Sequence, residues 1–168
     1  MRLNVPTRLR WSDLDAYGHV NNVSMLRLLE EARIEAFWST ESTTHQTADG
    51  EVTEFTGNSA MAVLDGRADA RTLSLIARQE IEYLAQIPYL REPLDLQLWI
   101  GRLAGASLDV CYEVWNPVAS ETRVLFTRAA TTLVLFDAEL ERPRRISATE
   151  RAAWEPFVEA PLEFTHRR

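Results

Sequence analysis

The chain contains no lysine. All 18 of its basic residues are arginine, so Schiff-base chemistry on a lysine and a P-loop lysine are both excluded. Its single cysteine, Cys111, excludes an internal disulfide and any cysteine-rich metal cluster. Glycine is scarce, with 6 residues, and none is arranged as a phosphate-cradling loop or as a G-x-S-x-G nucleophile elbow. No grouping of His, Cys, Asp and Glu has metal-ligand spacing, and no cofactor is implied. No apolar run approaches the ~20 residues of a membrane helix. The N-terminal MRLNVPTRLRW lacks the apolar stretch of a secretory signal, so the expected location is cytoplasmic. Acidic residues number 25, for a net charge of −7. That balance disfavours nonspecific nucleic-acid binding and anionic membrane surfaces, yet leaves room for one small polyanion held by local arginines.

What is present fits one soluble domain: 168 residues, 46% hydrophobic and 26% charged. Residues 5–11 read as a short first strand, with Pro6 at its beginning or on an edge. Residues 12–22 break all periodicity. Residues 23–38 read as a helix with a broad apolar face, capped by Asn21 or Asn22 and wide enough to require wrapping by a sheet. Residues 39–71 are polar, with only Ala60–Leu64 apolar enough to form an element. From residue 72 the hydrophobic period becomes two: Leu73, Leu75, Ala77, Ile81 and Tyr83, then 94–100, then 108–114. Residues 124–136 are apolar on both faces and read as a central strand. Short turns join these strands into an antiparallel meander. A capped helix follows over 147–157, started by Ser147 or Thr149 with Glu150 in its first turn.

The segment from Arg10 to Arg33, RWSDLDAYGHVNNVSMLRLLEEAR, carries a recognisable pattern. Its D-x-D-x-x-G-H-V-N-N followed by a leucine-rich helix ending in E-E-A-R resembles the hotdog-fold acyl-CoA thioesterases. The 4-hydroxybenzoyl-CoA and long-chain acyl-CoA types are the nearest, and I-E-Y-L at 81–84 is similar to the family's second-strand signature. The resemblance implies an α+β hotdog fold: one long buried helix wrapped by a curved antiparallel sheet of about five strands. It implies hydrolysis of acyl-CoA, or of acyl carrier protein thioesters, to free acid and thiol. Asp15 is the implied catalytic carboxylate, His19 an assisting group, and the Asn22 backbone N–H the oxyanion donor.

The residues read by themselves agree with this chemistry. Thioester hydrolysis needs a carboxylate to activate water or attack directly, and donors for the developing oxyanion. A helix N-terminus offers free N–H groups and a positive dipole end. Each residue also has a plainer reading. Asp13 and Asp15 are turn formers, His19 a loop tie, and Asn21 and Asn22 helix caps. Tyr17, Asn21 and Met25 are placed as substrate-binding residues, and Arg102, Arg123 and Arg128 as binders of the coenzyme A phosphates. Plant acyl-carrier-protein thioesterases carry a similar D-x-x-x-H-V-N-N, and Gln86 stands where they carry a catalytic glutamate, which argues against a glutamate-assisted mechanism. Two other functions compete: an acyl-CoA-binding hotdog protein without hydrolysis, and a hotdog dehydratase, which the H-V-N-N context disfavours. An exposed sheet edge predicts a homodimer or a dimer of dimers. The 40–71 segment is expected to be either a lid closing Ala60–Leu64 over the acyl chain or a surface insertion.

Overall fold

A computed structural model describes residues 1–39, 59–67 and 69–165, together with the backbone of two strands at 43–46 and 52–55. The chain order is β1 (Leu3–Thr7), α1 (Asn22–Phe37), β2 (Trp38–Ser39), β3 (Thr43–Gln46), β4 (Val52–Phe55), β5 (Leu64–Asp65) and β6 (Thr72–Tyr83). Then come β7 (Leu94–Leu103), β8 (Ser107–Trp115), β9 (Leu125–Asp137), β10 (Arg142–Pro143) and α2 (Ala148–Trp154). The main sheet is antiparallel in the order β1-β7-β8-β9-β6. The two-residue β10 continues past the end of β8 on the same side of β9.

One face of this sheet wraps α1. Leu94, Leu96, Leu98 and Ile100 of β7, Leu108, Val110, Tyr112 and Val114 of β8, and Ala129, Leu133 and Leu135 of β9 join the helix in one core. From α1 come Met25, Leu28, Leu29, Ala32, Arg33, Ala36 and Phe37, spaced by the three- and four-residue steps that build one helical stripe. The buried stripe is narrower than the apolar composition suggests, because Val23 and Ile34 fall on the exposed side. The arrangement is nonetheless the hotdog one, a central helix wrapped by a curved antiparallel sheet.

Two expectations are corrected. The first strand lies at Leu3–Thr7, ahead of the expected 5–11. In β6 the pairing with β9 skips Ala77 between Ile76 and Arg78. That bulge inverts the alternation: Ser74 and Ile76 face the helix side of Leu135 and Leu133, while Leu73 and Leu75 turn outward and are exposed. The apolar patch Ala60–Leu64 lies in surroundings that are described in part. Met61 and Leu64 are buried in the core, the Met61 carbonyl accepts a hydrogen bond from Trp154 Nε1 at 2.9 Å, and Trp154 packs edge-on against Phe37 at 5.5 Å. Phe37 ends α1, so this patch packs at the end of the helix remote from Asn22. β5 beside it pairs in parallel with β2. Thr40, Ser42, Gly50 and Gly57, part of the expected lid or insertion, lie outside the described residues.

The last described residues were not assigned to any element by sequence pattern. They run over the outer face of the sheet. Glu159 N bonds Ile100 O at 3.0 Å, Trp99 Nε1 bonds Ala160 O at 2.9 Å, and Thr165 N reaches Glu82 Oε1 at 3.3 Å. Gly101 makes the close approach possible, since a Cβ there would stand 2.7 Å from Cys111 Sγ and 3.0 Å from Pro161 Cα.

Candidate active site

The stretch before α1 folds into a tight hairpin. Leu14 bridges Val20, Asp15 N donates to His19 O at 2.8 Å, and Gly18 N donates to Asp15 O at 3.1 Å. Gly18 sits at φ +77°, a conformation that costs glycine little and other residues more. The Asp15 side chain holds this turn together, its Oδ1 accepting from Tyr17 N at 2.8 Å and His19 N at 3.2 Å. Its second oxygen, Oδ2, has no hydrogen-bond partner among the described residues. Asp13 is structural, with Oδ2 accepting from Arg10 N at 2.6 Å.

Backbone bonds lock the hairpin to its surroundings. Asn21 N donates to Asp13 O at 2.8 Å and Val20 N to Ile87 O at 2.9 Å, while His19 bridges Pro88. Asn21 is the helix cap, its Oδ1 accepting from Val23 N at 2.8 Å. Asn22 is therefore the first helical residue, and no acceptor among the described residues meets its backbone N–H. That donor sits at the positive end of the α1 dipole.

These groups border a cavity of about 420 Å³. Asp15, Tyr17, His19, Val20, Asn22 and Met25 form one wall, and Tyr83 to Ile87, the end of β6 and the turn beyond it, form the other. The hairpin thus brings together Asp15, Tyr17, His19, Asn22 and Met25. Asn21 stays behind as the cap. The arginines are elsewhere. Arg102 is paired with Asp109 at 2.7 Å, Arg123 with Asp95 while donating to Asn116 O at 2.7 Å, and Arg128 Nε lies 4.0 Å from Glu113. None of the three lines the cavity. In a chain with an excess of carboxylates, arginines on strands find acidic neighbours across the sheet.

Tyr83 is a lining residue that the sequence-based site does not include, whereas Gln86 is singled out there. Tyr83 donates its phenol hydrogen bond to Asn22 Oδ1, and Gln86 lies on the same wall. Burial pushes the Tyr83 phenol up from its ordinary value, so it is a protonated donor at neutral pH. The I-E-Y-L pattern marked the strand, but only its end-on approach to the α1 N-terminus shows that Tyr83 reaches Asn22.

A carboxylate oxygen, a backbone donor and apolar walls around one cavity are the parts acyl transfer requires. Residues 9–162 match the family described as the thioesterase-like superfamily. The chain belongs to that superfamily. Solved structures of the same fold include a predicted thioesterase from Bacillus stearothermophilus, with TM-score 0.66 and 20% identity over 96% of this chain and 99% of that one. A putative thioesterase from Pseudomonas aeruginosa gives TM-score 0.63 and 22% identity over 90% and 95% of the two chains. The 1,4-dihydroxy-2-naphthoyl-CoA thioesterase of Synechocystis gives 0.66 and 14% over 91% and 95%. No curated protein matches the chain. Membership in this thioesterase-like superfamily makes thioester hydrolysis the class of activity. Among the described residues, no helix is long and apolar enough to cross a membrane.

Proposed function

We propose that the protein hydrolyses acyl-CoA thioesters to free acid and coenzyme A, with Asp15 as the reactive carboxylate. The observation that carries this reading is the division of labour within Asp15: Oδ1 is tied into the turn, while Oδ2 is unpartnered on a residue that borders the cavity. Bonding of Oδ1 to two backbone N–H groups holds the carboxylate in one orientation, as a base or nucleophile needs. The Asn22 backbone N–H supplies a donor for the oxyanion formed when the thioester carbonyl becomes tetrahedral. His19 borders the same cavity and is the assisting polar group. The cavity volume suits a small-molecule acyl group.

The coenzyme A phosphates need cations. With Arg102, Arg123 and Arg128 paired, Arg27 and Arg91 take that role; both are exposed, and neither has an ion pair among the described residues. Arg27 lies just past the start of α1 and Arg91 just past Ile87 of the cavity wall.

The test is a panel of aliphatic and aromatic acyl-CoA and acyl carrier protein thioesters assayed for free thiol. The aromatic arm is motivated by the naphthoyl-CoA thioesterase among the structural neighbours. Turnover is expected for at least one CoA thioester, and Asp15→Asn should lower its kcat about a thousandfold with the fold intact. Arg27→Ala and Arg91→Ala should raise KM for CoA thioesters while leaving pantetheine thioesters unaffected. Binding without turnover would establish the non-hydrolytic acyl-CoA-binding function instead. Rapid quenching of a single turnover separates the two roles of Asp15: an acyl-aspartyl anhydride is trapped if it is the nucleophile, with the thiol leaving before water attacks, and none forms if it is a base.

We also propose assembly as a homodimer through β6. Its outer edge is unpaired among the described residues, and Leu73, Leu75 and Ile76 are exposed along it.

A further inference from the structure

The hydrogen bond from Tyr83 to Asn22 has a directional consequence. A carboxamide has an acceptor end and a donor end, exchanged by a half-turn about its terminal torsion. Tyr83 presents a phenol hydrogen to Asn22, and Oδ1 is the end that receives it. The Nδ2 end is thereby fixed in the opposite sense. No acceptor among the described residues takes a hydrogen from it, and Asn22 borders the cavity. The same residue contributes the unpartnered backbone N–H at the start of α1. One residue therefore carries two kinds of free donor at one place, a main-chain N–H and a side-chain NH2.

We infer that Tyr83 is a positioning residue that holds the Asn22 carboxamide with its NH2 toward the cavity, making it a second oxyanion donor beside the Asn22 backbone N–H. This rests on the thioesterase reading and adds to it a second donor and the residue that orients it. The opposite orientation would present Oδ1, a partial negative charge, to a carbonyl oxygen gaining negative charge. The orientation of this amide therefore decides whether it aids or opposes the transition state.

Several features suit Tyr83 to the task. It lies at the last position of β6, pairs with Thr127 of β9, and Leu84 N is bonded to Phe126 O at 2.8 Å just beyond it. Its backbone is thus fixed by the sheet, while its hydroxyl reaches Asn22 at the start of the helix. Burial keeps the phenol protonated well past neutral pH, so the donor is present throughout the working range. Asn22 is free for this use because Asn21 satisfies the helix cap.

A double-mutant cycle on the complete chain tests the inference. Asn22→Ala removes the carboxamide but leaves the backbone N–H and the Asn21 cap, and should lower kcat about a hundredfold with KM little changed. Tyr83→Phe keeps the ring and removes only the hydroxyl; it should lower kcat about tenfold, again with KM little changed. In the Asn22→Ala background, Tyr83→Phe should have no further effect, because there is no amide left to orient. An unchanged kcat for Tyr83→Phe overturns the inference, as does the same loss in both backgrounds, which would mean that Tyr83 acts on substrate directly. Nitrogen-edited NMR of the wild type provides a reading independent of any variant. The Asn22 NH2 resonances should move when a nonhydrolysable acyl thioester analogue binds, and unmoved resonances in the bound state overturn the inference. Wild-type protein inert toward every thioester overturns the thioesterase reading as well. Loss confined to the cycle or to the spectra, with an active wild type, removes the second donor alone.

Discussion

Asp15 uses its two oxygens for different purposes, and substitutions can separate them. Asparagine retains an Oδ1 that accepts from Tyr17 N and His19 N, so Asp15→Asn removes charge and keeps the turn. Alanine removes both. Asp15→Ala should therefore match Asp15→Asn in lost turnover but unfold more easily, by about 1 kcal/mol for the two backbone donors left to water. Urea denaturation of the two variants side by side checks this, and equal stabilities would show that the turn does not depend on the side chain. The plainer reading of Asp15 as a turn former and the catalytic one are thus both compatible with a single residue. Arg33 is the other residue with a demanding environment. It is buried on α1, donates to the Tyr112 hydroxyl at 3.2 Å and lies 3.8 Å from Glu30. Burial raises the Tyr112 phenol to about 12, against the opposing influence of Arg33, so the two meet as a neutral acceptor and a cation.

At the scale of elements, α2 shows how a short helix is held by its ends. Ser147 Oγ accepts from Glu150 N at 3.2 Å, and Glu150 Oε2 accepts from Ser147 N at 2.7 Å, the reciprocal cap expected from S-A-T-E. Arg144 Nη1 adds a bond to Glu150 at 2.9 Å. Burial alone would raise the Glu150 carboxyl, but the bonds from Arg144 and Ser147 outweigh it and hold the group below its ordinary 4.5. The folded protein thus binds this proton more weakly than the unfolded chain does. The stabilisation is complete above pH 4.5 and is lost as pH falls toward the lowered folded value. Glu150→Gln should be less stable at neutral pH and show a shallower loss of stability through that acid window. Circular dichroism during acid titration measures both; parallel curves for the two proteins would remove the assignment.

This helix was legible from its cap residues, as α1 was from its leucines, β7 and β8 from alternation, and β9 from a run apolar on both faces. β6 was legible as a strand but not in its facing, because a bulge at Ala77 obeys local twist and has no signature in a Leu-Ser-Leu-Ile run. The hairpin half of the site was legible because its residues are contiguous. The contact of Tyr83 was not, since only the closure of the sheet around α1 brings it to Asn22. The ion pairs of Arg102, Arg123 and Arg128 were not legible in the sequence, for an electrostatic reason. Sequence shows which cations exist, whereas cross-strand register decides which of them meet Asp95, Asp109 and Glu113.

For the molecule as a whole, the edge of β6 that is unpaired among the described residues is the proposed seam of the dimer. A strand of 12 residues with no buried member and one free edge is a template for pairing. A dimer is expected by analytical ultracentrifugation at micromolar concentration, and a monomer there would refute edge pairing. The opposite edge of the sheet is β1, and the outer face is covered by the residues after α2. That covering has a consequence for chemical labelling. Cys111, the one thiol in the chain, lies on the outer face beneath Pro161 and Leu162, 1% exposed, with burial pushing its pKa up. A thiol reagent can reach it only when the C-terminal segment lifts. The rate at which Cys111 reacts is therefore a clock for that peeling motion, separable from global unfolding by its dependence on denaturant, and it comes built into the unmodified protein.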